Sequence, residues 1–131
     1  MTYVPPVTEQ RFVLEHVAGI SSLMDAETMD AILDGLAAGT GGEGGPHGPK
    51  ADRDGAQWTP EGVRVPDYYH AAYKALVEGG WLSLSAEEAF GGQGLPTLAM
   101  AVLLEAPCPA DMAFSLCPLL SQGAVEALTA H

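Results

Sequence analysis

A cluster of glycines constrains the fold more than any other feature of this 131-residue chain. Six of its sixteen Gly residues lie between Gly39 and Gly48, in the segment GTGGEGGPHG. Each Gly in a helix interior costs about 1 kcal/mol relative to Ala, so we expect no long helix to cross this segment. The sequence therefore predicts a front part, residues 1–38, a Gly/Pro-rich flexible segment, residues 39–57, and a more apolar rear part, residues 58–131.

The charge balance limits the classes of partner. Five Lys and Arg residues oppose 17 Asp and Glu residues, which gives a formal net charge of −12. This argues against nucleic acid and anionic membranes as partners, because both require a basic surface. With two Cys residues, no secretory signal pattern and no membrane-length apolar run, we expect a cytoplasmic protein without a disulfide framework.

The periodicity of apolar residues predicts an all-α fold of five to seven helices with no clear strand. Thr8 and Asp25 are predicted N-caps of two front helices. The predicted apolar positions of these helices are Phe12, Val13, Val17 and Ile20 in the first, and Met29, Ile32, Leu33 and Leu36 in the second. The stretch QWTPEGVRVP is expected to be either a short extended connection or a hairpin-like turn around Glu61-Gly62, with regular structure resuming near Trp58.

Pro and Gly residues delimit the predicted helices of the rear part. A helix is expected after Pro66 and should end at Gly79-Gly80, and another is expected after Pro96. The pair Ser85 and Glu88 predicts a capping box for a short helix over residues 86–90. The segment after Pro109 also has a helical pattern, which Pro118 is expected to kink or divide.

No short motif of the chain predicts chemistry by itself. Residues 39–44 match G-x-G-x-x-G, but a nucleotide loop needs a preceding strand, so a linker is the favoured interpretation. The four His residues lack metal-ligand spacing, and Cys108 and Cys117 are expected to be small buried hydrophobes. An aromatic set could form a cage, but core packing is favoured; its members are Tyr68, Tyr69, Tyr73, Trp81 and Phe90. We therefore predict no catalytic, cofactor-binding or metal-binding residue.

Three segments of the chain resemble the N-terminal helical domain of acyl-CoA dehydrogenases. The first is YKALVEGGWLSLSAEEAFGGQGLP, and the second is ADMAFSLCPLLSQGAVEALTAH. The opening, YVPPVTEQRFVLEHV, resembles the N-terminal extension of the subgroup that acts on 3-methylmercaptopropionyl-CoA. Residues 37–49 depart from that family's helical pattern, as a local frameshift would, and the resemblance stops at His131. This predicts a truncated or fragmentary chain.

The resemblance implies FAD as the cofactor of a full-length enzyme that dehydrogenates an acyl-CoA thioester. The flavin-binding segments and the catalytic glutamate would lie beyond His131, so we expect no FAD to bind this chain alone. The family's N-terminal domain contributes one wall of the acyl cavity. That implies Met112, Phe114, Leu116 and Leu119 as candidate lining residues, although core packing is the favoured interpretation for each. The alternative function is a stand-alone helical interaction module that docks on another dehydrogenase subunit.

Overall fold

A computed structural model describes residues 3–40 and 47–131, and within these ranges the chain is mainly helical. The helices are α1 (Val7–His16), α2 (Ala26–Gly39), α3 (Gly48–Asp54), α4 (Tyr68–Glu78), α5 (Thr97–Glu105) and α6 (Met112–Thr129). The strands β1 (Gln57–Thr59) and β2 (Gly62–Arg64) form an antiparallel hairpin that pairs Trp58 with Val63. The predicted helical fold class is confirmed. The expectation of no strand is corrected by this small hairpin, which forms at the predicted turn.

Helices α2 and α5 supply most of the buried core. The Asp25 carboxylate accepts a hydrogen bond from the Thr28 N–H at 2.8 Å, which confirms the predicted N-cap of α2. The predicted apolar positions of α2 are all buried, and they pack against α5. The buried residues of these two helices are Met29, Ile32, Leu33 and Leu36 in α2, and Ala99, Met100, Val102 and Leu103 in α5.

The predicted start and buried face of α1 are wrong. The helix begins at Val7 rather than after Thr8, because the Pro6 carbonyl already accepts the Gln10 N–H at 3.0 Å. It ends at His16, and Gly19, with φ of +68°, turns the chain before Ile20. Gln10 and Leu14 are therefore the buried residues of α1. Among the predicted apolar positions of the first helix, only Ile20 is buried, and it lies in a short turn after α1. Phe12, Val13 and Val17 are exposed.

Regular structure resumes earlier than predicted after the glycine cluster. Helix α3 begins at Gly48, with Pro49 in its first turn, where the missing N–H of proline costs no helical hydrogen bond. A Cβ on Gly48 would lie 2.0 Å from the Ala110 carbonyl oxygen, so glycine permits close contact with the segment before α6. Within the G-x-G-x-x-G match at residues 39–44, Gly39 ends helix α2. Residues 41–46 lie outside the described residues.

The predicted helix over residues 86–90 does not form within the described rear part. The Ser83, Ala86 and Glu87 carbonyls accept hydrogen bonds from the N–H groups of residues 92–94. These bonds fold a compact loop and use carbonyls that a continuing helix would need. A short turn, Glu88–Phe90, is formed instead of the capped helix.

Of the two expected effects of Pro118, a kink or a division of the helix, the division does not occur, because α6 continues through this residue. The Asp111 side chain caps its start by accepting the Phe114 N–H at 3.0 Å. Pro118 is buried against the rest of the domain. Its buried position matters for the site, because it fixes which side of α6 faces inward.

Candidate functional site

Helix α6 has an inverted pattern of burial. Its buried residues are Ser115, Pro118 and Gln122, whereas its large aliphatic side chains point outward. The Gln122 side-chain amide donates a hydrogen bond to the Leu82 carbonyl. Ser115 donates to the Met112 carbonyl at 2.8 Å. The Gln122 amide therefore ties α6 to Leu82, the Ser115 bond lies within the helix, and Pro118 is buried against the domain.

The exposed side of α6 carries an apolar surface that we call the outer face. It is formed by Met112, Leu116, Leu119 and Leu120, which are 60%, 49%, 43% and 73% exposed. Their spacing of three or four residues places them on one side of the helix. Four large aliphatic side chains gathered on one helix side are typical of a surface that contacts another element.

The structure separates the four residues that the resemblance implies as cavity lining. Met112, Leu116 and Leu119 lie together on the outer face, and all three are too exposed to be core residues here. Phe114 lies on another side of α6 and faces an interior cavity. Leu120 was missed by the sequence analysis, although its spacing of four residues from Leu116 would have indicated it.

A half-open pocket, which we call the interior cavity, lies between α2, α4, α5 and α6 and has a volume of about 350 Å³. It includes Leu36, Leu76, Trp81, Leu103 and Phe114 in its lining. Helix α2 contributes a notch, because a Cβ on Gly35 would lie 2.6 Å from Cη2 of Trp81. The small residue lets the indole ring lie directly against the helix and form part of the cavity wall.

A carboxylate with two tyrosines stands at the rim of this cavity. Asp111 accepts hydrogen bonds from the Tyr68 hydroxyl and from the Tyr69 hydroxyl, the latter at 3.0 Å. Burial, followed by the hydrogen bond to Asp111 and by the carboxylate charge, raises the pKa of both tyrosines above the usual value. Both phenols are therefore protonated donors at neutral pH.

The aromatic set does not form one core cluster, although Trp81 packs against the core as expected. His47 stacks on Tyr68 with ring centroids 4.7 Å apart, and Tyr69 lies 5.3 Å from Phe114. Tyr73 is exposed, and Phe90 is 85% exposed. Gly80, with φ of +72°, turns the chain between the tyrosines of α4 and Trp81. The N-cap pattern Asp111–Phe114 could have indicated the position of the carboxylate, but not its contact with the two tyrosines.

Cysteine burial also departs from the prediction. Cys108 is half-buried and donates a hydrogen bond from its thiol to Ser115 at 3.2 Å, whereas Cys117 is exposed. The inward side of α6 is occupied by its neighbours Ser115 and Pro118, which turns Cys117 outward. Within residues 3–40 and 47–131, no group of three or more His, Cys, Asp or Glu side chains could hold a metal ion.

Comparison with known sequences places this helical unit in a family. The family model described as "Acyl-CoA dehydrogenase, N-terminal domain" matches residues 50–131, which is more than half of the chain. The chain belongs to the acyl-CoA dehydrogenase family. The match begins at the point where the sequence resemblance resumes after the glycine cluster, and it includes α4, α5 and α6.

A relative shows how much of such a protein the chain represents. The 3-methylmercaptopropionyl-CoA dehydrogenase of Ruegeria pomeroyi is 36% identical over 137 residues. The matched region covers 98% of this chain and 23% of that relative. The chain thus spans less than a quarter of the relative's length, and the match includes the front part that the family model leaves out.

The two helix N-termini that carry side-chain caps do not fit the diphosphate of FAD. Carboxylates occupy the N-termini of α2 and α6, through Asp25 and Asp111, and would repel a phosphate there. Three of the five cationic side chains are paired with carboxylates: Arg11 with Asp30 at 2.8 Å, Lys74 with Glu78 at 3.6 Å, and Lys50 with Asp54.

None of the helices within residues 3–40 and 47–131 combines the length and the apolar character that a membrane span requires.

Proposed function

We propose that this chain is the N-terminal portion of an FAD-dependent enzyme that dehydrogenates an acyl-CoA thioester. In this proposal residues 58–131 form the helical domain, and residues 1–38 form an extension in front of it. The observation that carries the proposal is the outer face of α6, which would form one wall of the acyl-chain cavity. The free Cys108 and Cys117 thiols suit a reducing cytoplasm.

The energetics of the outer face support this role. Burial of a large aliphatic side chain contributes about 1.5–3 kcal/mol, so four exposed ones represent a large unrealised stabilisation. An acyl chain, or the segment that encloses it, would realise part of that stabilisation by covering Met112, Leu116, Leu119 and Leu120. The Gln122 contact with Leu82 fixes the rotation of α6 and so keeps these side chains directed outward.

The proposal assigns binding of the acyl chain, but no redox step, to this chain. FAD would supply the hydride acceptor in a complete enzyme, held by segments other than the described residues. We therefore expect the purified chain to show no flavin absorbance and no dye reduction with 3-methylmercaptopropionyl-CoA, the thioester in the relative's name. Stoichiometric FAD in the purified chain would contradict the view that it is inactive alone.

A chimera tests the wall directly. Residues 50–131 would replace the matching segment of the Ruegeria pomeroyi relative. Leu119→Trp would then enlarge one side chain of the outer face and reduce the space in the proposed acyl-chain cavity. The expected result is a raised KM for longer acyl-CoA substrates with a smaller change for short ones. Leu128→Trp is the matched control, because Leu128 is 81% exposed on a different side of α6. Equal effects of the two substitutions would contradict the proposed wall.

The same outer face supports a second candidate, a helical module that docks on another dehydrogenase subunit. Size-exclusion chromatography with light scattering distinguishes the two candidates. A monomer with a cooperative thermal transition favours an adapted module, because its exposed apolar surface would then be tolerated in isolation. Concentration-dependent aggregation that Leu120→Ser reduces favours a portion of a longer enzyme.

A further inference from the structure

The interior cavity is distinct from the outer face and has the size of a small-molecule site. Phe114 lines the cavity, whereas Met112, Leu116 and Leu119 lie on the other surface. Its volume of about 350 Å³ lies within the usual range of about 300–1,000 Å³ for ligand pockets. At roughly 30 Å³ for each water-sized group, it has room for about ten non-hydrogen atoms.

The lining is apolar except for one polar end. Leu36, Leu76, Trp81, Leu103 and Phe114 offer aliphatic and aromatic surface and no ionisable group. A molecule that filled this space would therefore be mainly hydrocarbon, because polar groups against this lining would lose their hydrogen bonds to water.

The polar end, formed by Tyr68 and Asp111, selects for charge. One Asp111 oxygen accepts from Tyr68, and the other accepts from Tyr69 and from the Phe114 N–H. The Tyr68 hydroxyl gives its proton to Asp111, so its oxygen keeps a lone pair that can accept a hydrogen bond. A ligand with a hydroxyl would satisfy that lone pair. A ligand with a carboxylate would meet the negative charge of Asp111 and would have no donor to offer.

We propose that this cavity binds a neutral, mainly aliphatic alcohol of about ten non-hydrogen atoms, whose hydroxyl donates a hydrogen bond to the Tyr68 oxygen. The site is separate from the outer face, because none of the four residues of that face lines it. Its failure would leave the proposed function untouched.

Fluorescence of the full chain tests the proposal. Trp58, which is 78% exposed, is first replaced by Phe, so that the emission comes from Trp81 in the cavity wall. Octan-1-ol is expected to change this emission saturably, with a Kd on the order of 1 mM. Octanoate at pH 7 has the same chain length and a negative charge, and it is expected to bind at least about tenfold more weakly, a difference of about 1.4 kcal/mol.

A matched pair of variants locates the site. Ala72→Phe fills the cavity and should abolish the octan-1-ol response, whereas Ala71→Phe, at the neighbouring exposed position, should retain it. If Ala72→Phe does not fold, methyl NMR of the original chain decides. Ligand-induced shifts at Leu36 and Leu103 support the proposal. Shifts confined to Leu116 and Leu120, equal binding of octanoate, or no saturable response would overturn it.

Discussion

Replacement of Asp111 by Ala should destabilise the chain by about 2 kcal/mol. The carboxylate caps α6 through the Phe114 N–H and also receives the hydroxyls of Tyr68 and Tyr69. Loss of an N-cap costs about 1 kcal/mol. A buried hydrogen bond to a charged group is worth about 1.5–3 kcal/mol. Because both tyrosines are half-buried and water can replace the lost partner, we assign about 1 kcal/mol to the two bonds together.

Urea unfolding followed by circular dichroism measures this cost. With an m value of about 1.5 kcal/mol/M, Asp111→Ala should lower the urea midpoint by about 1.3 M without a change in m. Asp111→Asn retains the cap and one tyrosine partner, so it should lower the midpoint by about a quarter as much. In a background that carries Tyr68→Phe and Tyr69→Phe, Asp111→Ala should cost only the cap, about 1 kcal/mol.

Asp67 offers the matched control, since it precedes α4 as Asp111 precedes α6. In the described part of the chain its side chain accepts no capping hydrogen bond from α4, so Asp67→Ala should change stability by less than about 0.5 kcal/mol. If Asp111→Ala and Asp67→Ala agree within that margin, the assignment of Asp111 as a structural anchor is refuted.

Three further predictions concern titration and packing. Folding raises the pKa values of Tyr68 and Tyr69, so the two phenols stabilise the folded chain fully below about pH 10, their unfolded value, and less above it. Urea midpoints measured from about pH 9 to 11 should therefore decline more for the original chain than for a double Phe variant. The hydrogen bond from the Thr28 N–H lowers the pKa of Asp25. Acid should therefore destabilise the original chain relative to Asp25→Asn as the pH falls below 3.8, the usual Asp value, and parallel acid titrations of the two would refute this. Leu103→Ala, in the core, should cost about 2–5 kcal/mol in urea unfolding, whereas Leu120→Ser on the outer face should cost less than about 0.5 kcal/mol; equal costs would contradict the burial pattern of α5 and α6.

Local signals in the sequence predicted much of the fold. Asp25 caps α2 as expected, because a cap depends on residues only three positions apart. The hairpin also forms at the Glu61-Gly62 turn, where Gly62 takes a φ of +134° that other residues rarely adopt. The start of α1 was harder to predict, because the Pro6 carbonyl accepts the first helical hydrogen bond and Thr8 therefore lies inside the helix.

The candidate site depended on contacts that the sequence does not reveal. Tyr68 and Asp111 are 43 positions apart, and they meet only because α4 and α6 enclose the same cavity. Hydrophobic periodicity would place the leucines of α6 inward, yet Gln122 and Ser115 occupy the buried side. The family resemblance implied Met112, Phe114, Leu116 and Leu119 as lining of the acyl cavity, and that role stays a prediction.

The outward direction of the large aliphatic side chains of α6 has a consequence for motion within the domain. An element with few buried apolar contacts opens by local unfolding at a lower free energy than the core does. Amide protons of α6 should therefore exchange with solvent sooner than those of α2 and α5. Because Phe114 and Asp111 close one side of the interior cavity, each such opening would also be an entry route for a small molecule. A protein segment that covered the outer face would slow both the exchange of α6 amide protons and the entry of a small molecule into the cavity.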